Sequence, residues 1–394
     1  MSNENPQDLI VKPAPHITGT MSKNRLMQYT FTALLAITII TAILWWSTTT
    51  PTNSQIAGLK LTGIWQMPLG EIVLINALIA IGIAVGADTL ISKVSSDAQM
   101  NIWSAAVFGL IVTLSYSLGI PAMSQVADVM PIDTLSAPSA FLYVAIISLI
   151  GLVVFKKLQG LAGRKYVNPA AAAKFIVLLP FIGSVFLAKD HFAAFTAGGL
   201  GVPSLSGAIG FGSGPVGHNG IASFATYLAG CYGNPALATP AITTSSISSL
   251  MILDKFHGWT GGASALAVII VGIAFFVVAR KYVKWRVTLA YFVSIAIMSI
   301  IFATAFGDTD LTIRLLFELF IGSSIFLGFF MATDPATTPY TGIGQIIFGV
   351  GLGVLTILIQ TYMNFYGGSL LALLIMNLTV PLLDRVGIHK PFGR

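Results

Sequence analysis

"MATDPATTPYTGIGQIIFGVGLGVLTILIQ", residues 331–360, closes one apolar run and opens another. Asp334-Pro335 reads as a stop, because proline disfavours helix in the residue before it. From residue 343 the chain then runs to Leu358 without a charge, long enough to cross a bilayer as a helix. Gly342, Gly344, Gly349, Gly351 and Gly353 give that helix small-residue faces on which a neighbour can pack closely.

Outward from this stretch, the same alternation of apolar run and short polar break fills the chain. Apolar runs of about 17–25 residues fall at 26–47, 72–92, 102–120, 139–156, 170–188, 262–279, 287–306, 315–333, 343–362 and 369–384. Of the 394 residues, 55% are hydrophobic and only 9% charged, and the mean hydropathy is +0.86. Soluble domains carry roughly a quarter charged residues. The expected fold is an all-α polytopic membrane protein of about ten transmembrane helices.

The loops orient these helices. Lys and Arg gather in alternate breaks: Lys23 and Arg25, Lys93, Lys156-Lys157 with Arg164-Lys165, Arg280 to Arg286, and Arg385 to Arg394. The other breaks are poor in them, so the positive-inside rule places both termini in the cytoplasm. The net charge of +6 is then a membrane signature and no sign of nucleic acid. Residues 1–25 lack the short apolar core and small-residue cleavage site of a signal peptide and are expected to stay as a cytoplasmic segment. The further divisions expected are a first five-helix half (26–188), an extracytoplasmic loop (189–261), a second five-helix half (262–386) and a cytoplasmic tail (387–394). Halves with an odd number of spans imply an inverted repeat.

One cysteine, Cys231, excludes an internal disulfide or a self-contained iron–sulfur cluster. The five histidines lie outside the apolar runs, which argues against haem ligation within the bilayer. Redox chemistry here would need an organic cofactor. The stretch 198–220 is too Gly-rich for a regular helix and reads either as a re-entrant segment or as a surface loop.

Ionisable residues at membrane depth are costly and often functional. Asp88 and Glu318 each read as interfacial or as part of an ion path. Lys174 is expected either to snorkel to the cytoplasmic boundary or to take a packing or cofactor role.

Several patterns together resemble one family. They are "GRKYVNPAAAAKF" (163–175) with Asn168-Pro169 and Lys174, the opening stretch with Asp334-Pro335, and "GGSLLALLIMNLTVPLLDR" (367–385) with Asn377 and Asp384. Residues 15–35 and 259–287 add to the likeness. Their order is similar to that in the D subunit of Rnf-type ferredoxin-oxidising complexes, and in the homologous B subunit of the sodium-pumping NADH:quinone reductase.

The resemblance implies a flavoprotein subunit of an ion-translocating complex. Such a subunit relays electrons from reduced ferredoxin toward NAD or another acceptor, coupled to Na+ or H+ movement. It implies iron–sulfur and flavoprotein partner subunits, an FMN joined through its phosphate to a threonine, and a second, noncovalent flavin such as riboflavin. The family's target pattern runs roughly Asp-x-x-Ser/Thr-Gly-Ala/Ser-Thr. Here "CYGNPALATPAITTSSISS" (231–249) offers Thr239, with the Ala-Thr-Pro ending but without the acidic residue and the Ser-Gly pair. Thr243 and Thr244 add hydroxyls for phosphate or ring heteroatoms, or cap a helix. By the resemblance, Asn168, Pro169, Lys174, Asp334 and Pro335 join them as cofactor-site candidates. A channel or secondary transporter built from inverted five-helix repeats is the reading from another class.

Overall fold

In the computed structural model the residues described are 23–44, 46, 69–94, 101–116, 140–159, 165–177, 260–262, 264–306, 311–320, 324–362 and 368–386. Among them the chain is helical and contains no strand. Along the sequence run α1 (Lys23–Leu44), α2 (Leu69–Val94), α3 (Ile102–Leu114) and α4 (Ala140–Ile150), which continues as a π-helix over Gly151–Leu158. α5 covers 169–177. Then come α6 (Ala265–Val278), α7 (Trp285–Phe306), α8 (Leu311–Phe320), a helical turn Ser324–Phe326 running into a second π-helix Leu327–Met331, α9 (Gly342–Tyr362) and α10 (Gly368–Leu383).

Among the described residues, five helices are long and apolar enough to cross a membrane: Asn24–Leu44, Gly70–Val94, Phe141–Leu158, Trp285–Ala305 and Gly342–Ile359. Ile102–Leu114, Ala265–Val278 and Ser369–Leu383 are shorter apolar helices. The central stretch with Thr239, Thr243 and Thr244 lies outside the described residues.

Small residues set the packing. A Cβ on Gly109 of α3 would lie 2.8 Å from the Ala80 carbonyl of α2, so only glycine permits that crossing. On α9, a Cβ at Gly353 would meet the Ser294 Cβ of α7 at 2.7 Å, while Ser294 Oγ donates to the Val350 carbonyl at 3.0 Å. Where lipid is as apolar as leucine, such close approach and interhelical hydrogen bonding hold helices together.

α3 stops earlier than the apolar run 102–120 predicts. Its 13 residues span about 20 Å, against roughly 30 Å of hydrocarbon. The carbonyls at its C-terminal end therefore need protein donors. The Thr260 N–H and Oγ1 both donate to the Tyr116 carbonyl, at 2.6 and 2.8 Å. Thr41 Oγ1 donates in turn to the Thr260 carbonyl at 3.1 Å, which ties the turn Thr260–Gly262 to α1.

Candidate functional site

Asn168 and Pro169 start α5 by ordinary helix chemistry. Asn168 Oδ1 accepts the N–H groups of Ala170 (3.1 Å) and Ala171 (3.2 Å), so it is the N-cap. Pro169 occupies the first helical position, where a missing N–H costs nothing.

The second break is built in a similar way. Asp334 Oδ1 accepts the Ala336 N–H at 3.1 Å, and Oδ2 accepts from Thr337 Oγ1 at 3.2 Å. The carboxylate therefore holds the turn that ends the π-helix Leu327–Met331.

A third residue joins the two breaks. Asn377 on α10 is fully buried, and its amide fits one orientation. Nδ2 then donates to the Thr337 carbonyl at 3.0 Å, and Oδ1 accepts the Asn168 N–H at 2.9 Å. Nearby, Asp384 Oδ1 accepts the Tyr340 N–H at 2.8 Å. The three motifs quoted from separate parts of the sequence thus meet at one end of the helices.

Beside this junction opens a cavity of about 420 Å3. Val107, Phe108, Ile111, Phe275 and Phe330 give it apolar walls, and Lys156, Lys165, Asn168, Pro169, Asp334 and Pro335 line its polar part. Both π-helices border it, through Lys156 and through Phe330. Single π-turns are uncommon and gather at functional sites. The start of α1, the start of α3 and the end of α6 also contribute. These ends are the ones that the charges of the loops assign to a single side.

Sequence reasoning used Lys156 and Lys165 only to orient the chain, and missed that they reach a cavity. The signal was present in Lys156-Lys157, which split their tasks. Lys156 Nζ donates to the Ser104 carbonyl and lies 5.6 Å from the centre of the Phe108 ring. Lys157 Nζ turns to Asp88 Oδ1 at 2.6 Å.

The remaining candidates among the described residues lie apart from the cavity. Asp88 is buried, paired with Lys157, and its Oδ2 accepts the Asn101 N–H at 2.9 Å. Glu318 is buried on α8.

Lys174 does not snorkel. It is 2% exposed, donates from Nζ to the Ser115 carbonyl, and lies 5.4 Å from the centre of the Tyr116 ring. The prematurely ended α3 supplies the reason. Its C-terminal carbonyls and negative dipole end sit at a depth where a buried cation satisfies them, so the ammonium turns inward.

Residues 134–393 match the family described as NQR2, RnfD, RnfE. The chain belongs to this family. The D subunit of the Na(+)-translocating ferredoxin:NAD(+) oxidoreductase complex of Acetobacterium woodii is 23% identical over 390 residues, covering 99% of this chain and 96% of that one. The D subunit of the ion-translocating oxidoreductase complex of Shewanella amazonensis is 28% identical across 68% of this chain and 77% of its own. The D subunit of the proton-translocating ferredoxin:NAD(+) oxidoreductase complex of Clostridium ljungdahlii is 32% identical, over 36% of this chain and 42% of its own. All three quoted motifs fall inside the region that matches the family.

Proposed function

We propose that the chain is the D-type membrane subunit of an Rnf-type complex, relaying electrons from reduced ferredoxin toward NAD+ while Na+ or H+ crosses the membrane. The observation that carries this reading is the end-to-end alignment with the Acetobacterium woodii protein. In this reading the ten apolar runs are ten spans in two inverted halves of five. Both termini face the cytoplasm, and the chain sits in the cell membrane with iron–sulfur and flavoprotein subunits.

The cofactors proposed are FMN bound through its phosphate to Thr239, with Thr243 and Thr244 beside it, and a second flavin held without a bond. The cavity supports the second. Its volume lies within the roughly 300–1,000 Å3 of ligand pockets, and its make-up of aromatic walls with a few polar groups is the usual one. Phe108, Phe275 and Phe330 would flank a planar ring, and Lys156 and Lys165 would face its polar edge. A bound flavin supplies one- and two-electron redox chemistry. Neighbouring cations lower the cost of negative charge in a low-dielectric site, and either lysine would act in that way when protonated. Asp88 and Glu318 are proposed for the ion path, and Lys174 as a fixed charge within the membrane.

The test uses membrane vesicles from cells with and without this chain. Vesicles with it should reduce NAD+ with reduced ferredoxin and accumulate Na+ or H+, and the denatured chain should fluoresce as a flavoprotein in a gel. A colourless chain that carries solute by itself in liposomes would sink the reading.

A further inference from the structure

Lys284, immediately before α7, reaches across to the Asp334-Pro335 break. Its Nζ donates to the Pro335 carbonyl at 3.1 Å, the Thr338 carbonyl at 2.8 Å and Thr338 Oγ1 at 2.7 Å. The Tyr340 ring centre lies 4.9 Å away on a further side. The Thr338 hydroxyl donates its own proton to the Asp334 carbonyl at 2.7 Å, which leaves its lone pairs facing the ammonium.

We infer that the turn 335–338 is a monovalent-cation site, filled in the native protein by the tethered ammonium of Lys284. Two backbone carbonyls and a hydroxyl oxygen just past the end of a helix are the donor set that broken helices use for alkali cations. A lysine ammonium is a compact point charge with three donors. Here it makes three hydrogen bonds to three oxygens of one turn, and the aromatic face adds a cation–π contact. The oxygen distances suit an ion of ammonium or potassium size, with sodium requiring the turn to contract.

The consequence goes beyond the proposed electron path and does not depend on it. With its own cation built in, the turn is closed to a mobile ion, and the helix break beside the cavity is locked in one shape. A transported ion must use another route.

The test is chemical rescue in the purified complex containing the full chain. Thermal unfolding is followed in choline, sodium, potassium and ammonium chloride at equal ionic strength. Each variant is compared with the native complex in the same salt, so that any effect of a transported ion cancels. Lys284→Ala should melt several degrees lower in choline and regain most of that loss in potassium or ammonium. Lys284→Met, which fills the space with an apolar stem, should not be rescued. The double variant Lys284→Ala with Thr338→Val, short of one donor oxygen, should lose the rescue.

Equal destabilisation of Lys284→Ala in every salt would overturn the inference, as would no destabilisation at all. The cytoplasm is rich in potassium, so Lys284→Ala should assemble in cells. Failure to assemble there would overturn the inference equally. None of these measurements reads flavin or electron transfer, so the outcome is separate from that of the proposed function.

Discussion

Asn377 Oδ1 accepts the backbone N–H of Asn168 at 2.9 Å, and Asn377 Nδ2 donates to the Thr337 carbonyl at 3.0 Å. One amide thus serves a donor on one helix break and an acceptor on the other. Leucine at 377 would keep the volume and leave both backbone groups buried without their partner. Each such group costs about 1–3 kcal/mol, so Asn377→Leu should destabilise the protein by about 2–4 kcal/mol. The check is the melting temperature of the complex together with its yield from membranes.

Asp88 and Lys157 form a buried ion pair at 2.6 Å. Removing one partner of such a pair strands the other, at about 3–5 kcal/mol when no water reaches it. Lys157 is 13% exposed, so the lower end applies, about 3 kcal/mol. Asp88→Asn should show that loss. The double variant with Lys157→Met should recover part of it, which a double-mutant cycle measures. Ion uptake separates the two roles expected for Asp88. Its survival in the folded Asp88→Asn variant would remove Asp88 from the ion path.

Bilayer thickness imposes a long apolar run on any crossing helix, and five of the ten runs hold a described helix long enough to cross. Each of the other five holds a shorter helical segment among the described residues. What sequence did not show depended on partners far along the chain. Hydropathy extends α3 to residue 120, whereas Lys174 and Thr260 satisfy its end, at the Ser115 and Tyr116 carbonyls, from distant positions. The inward turn of Lys174 follows from that end and could not be read without it. Asn168, Asp334 and Asn377 were each visible as motifs, but only the fold brings the three together. The hydroxyls at 239–246 lie beyond the described residues, so their reading still rests on the resemblance.

The α7–α9 crossing predicts a steric effect. A valine at 353 would push its Cβ to within 2.7 Å of the Ser294 Cβ and 2.8 Å of the Tyr291 carbonyl. The latter is backbone and cannot swing aside. Overpacking of this kind costs about 1–3 kcal/mol. Gly353→Val should lower the melting temperature, whereas Gly82→Val on α2, where nothing lies within 4 Å, should leave it nearly unchanged apart from a few tenths of a kcal/mol of helix propensity.

Thr239 is tested by what remains attached after denaturation. Thr239→Ala should abolish the fluorescence of the chain in a denaturing gel and remove the mass of FMN less water from the peptide spanning 231–255. Thr243→Ala and Thr244→Ala should keep both signals. A band that survives Thr239→Ala would move the attachment to another hydroxyl.

The cavity allows a separate assay of the unattached flavin. Ile111 lines its apolar wall, and tryptophan there would occupy much of the space a ring needs without touching the capping bonds of Asn168 or Asp334. Ile111→Trp should therefore reduce the flavin released by acid from the folded complex by at least about half, since an occluded pocket forfeits most of a ligand's buried contact area. The covalent band at the chain's own position should persist. Parallel loss of both signals would mean that the substitution had damaged the fold. Retention of all released flavin would assign the cavity to some other occupant.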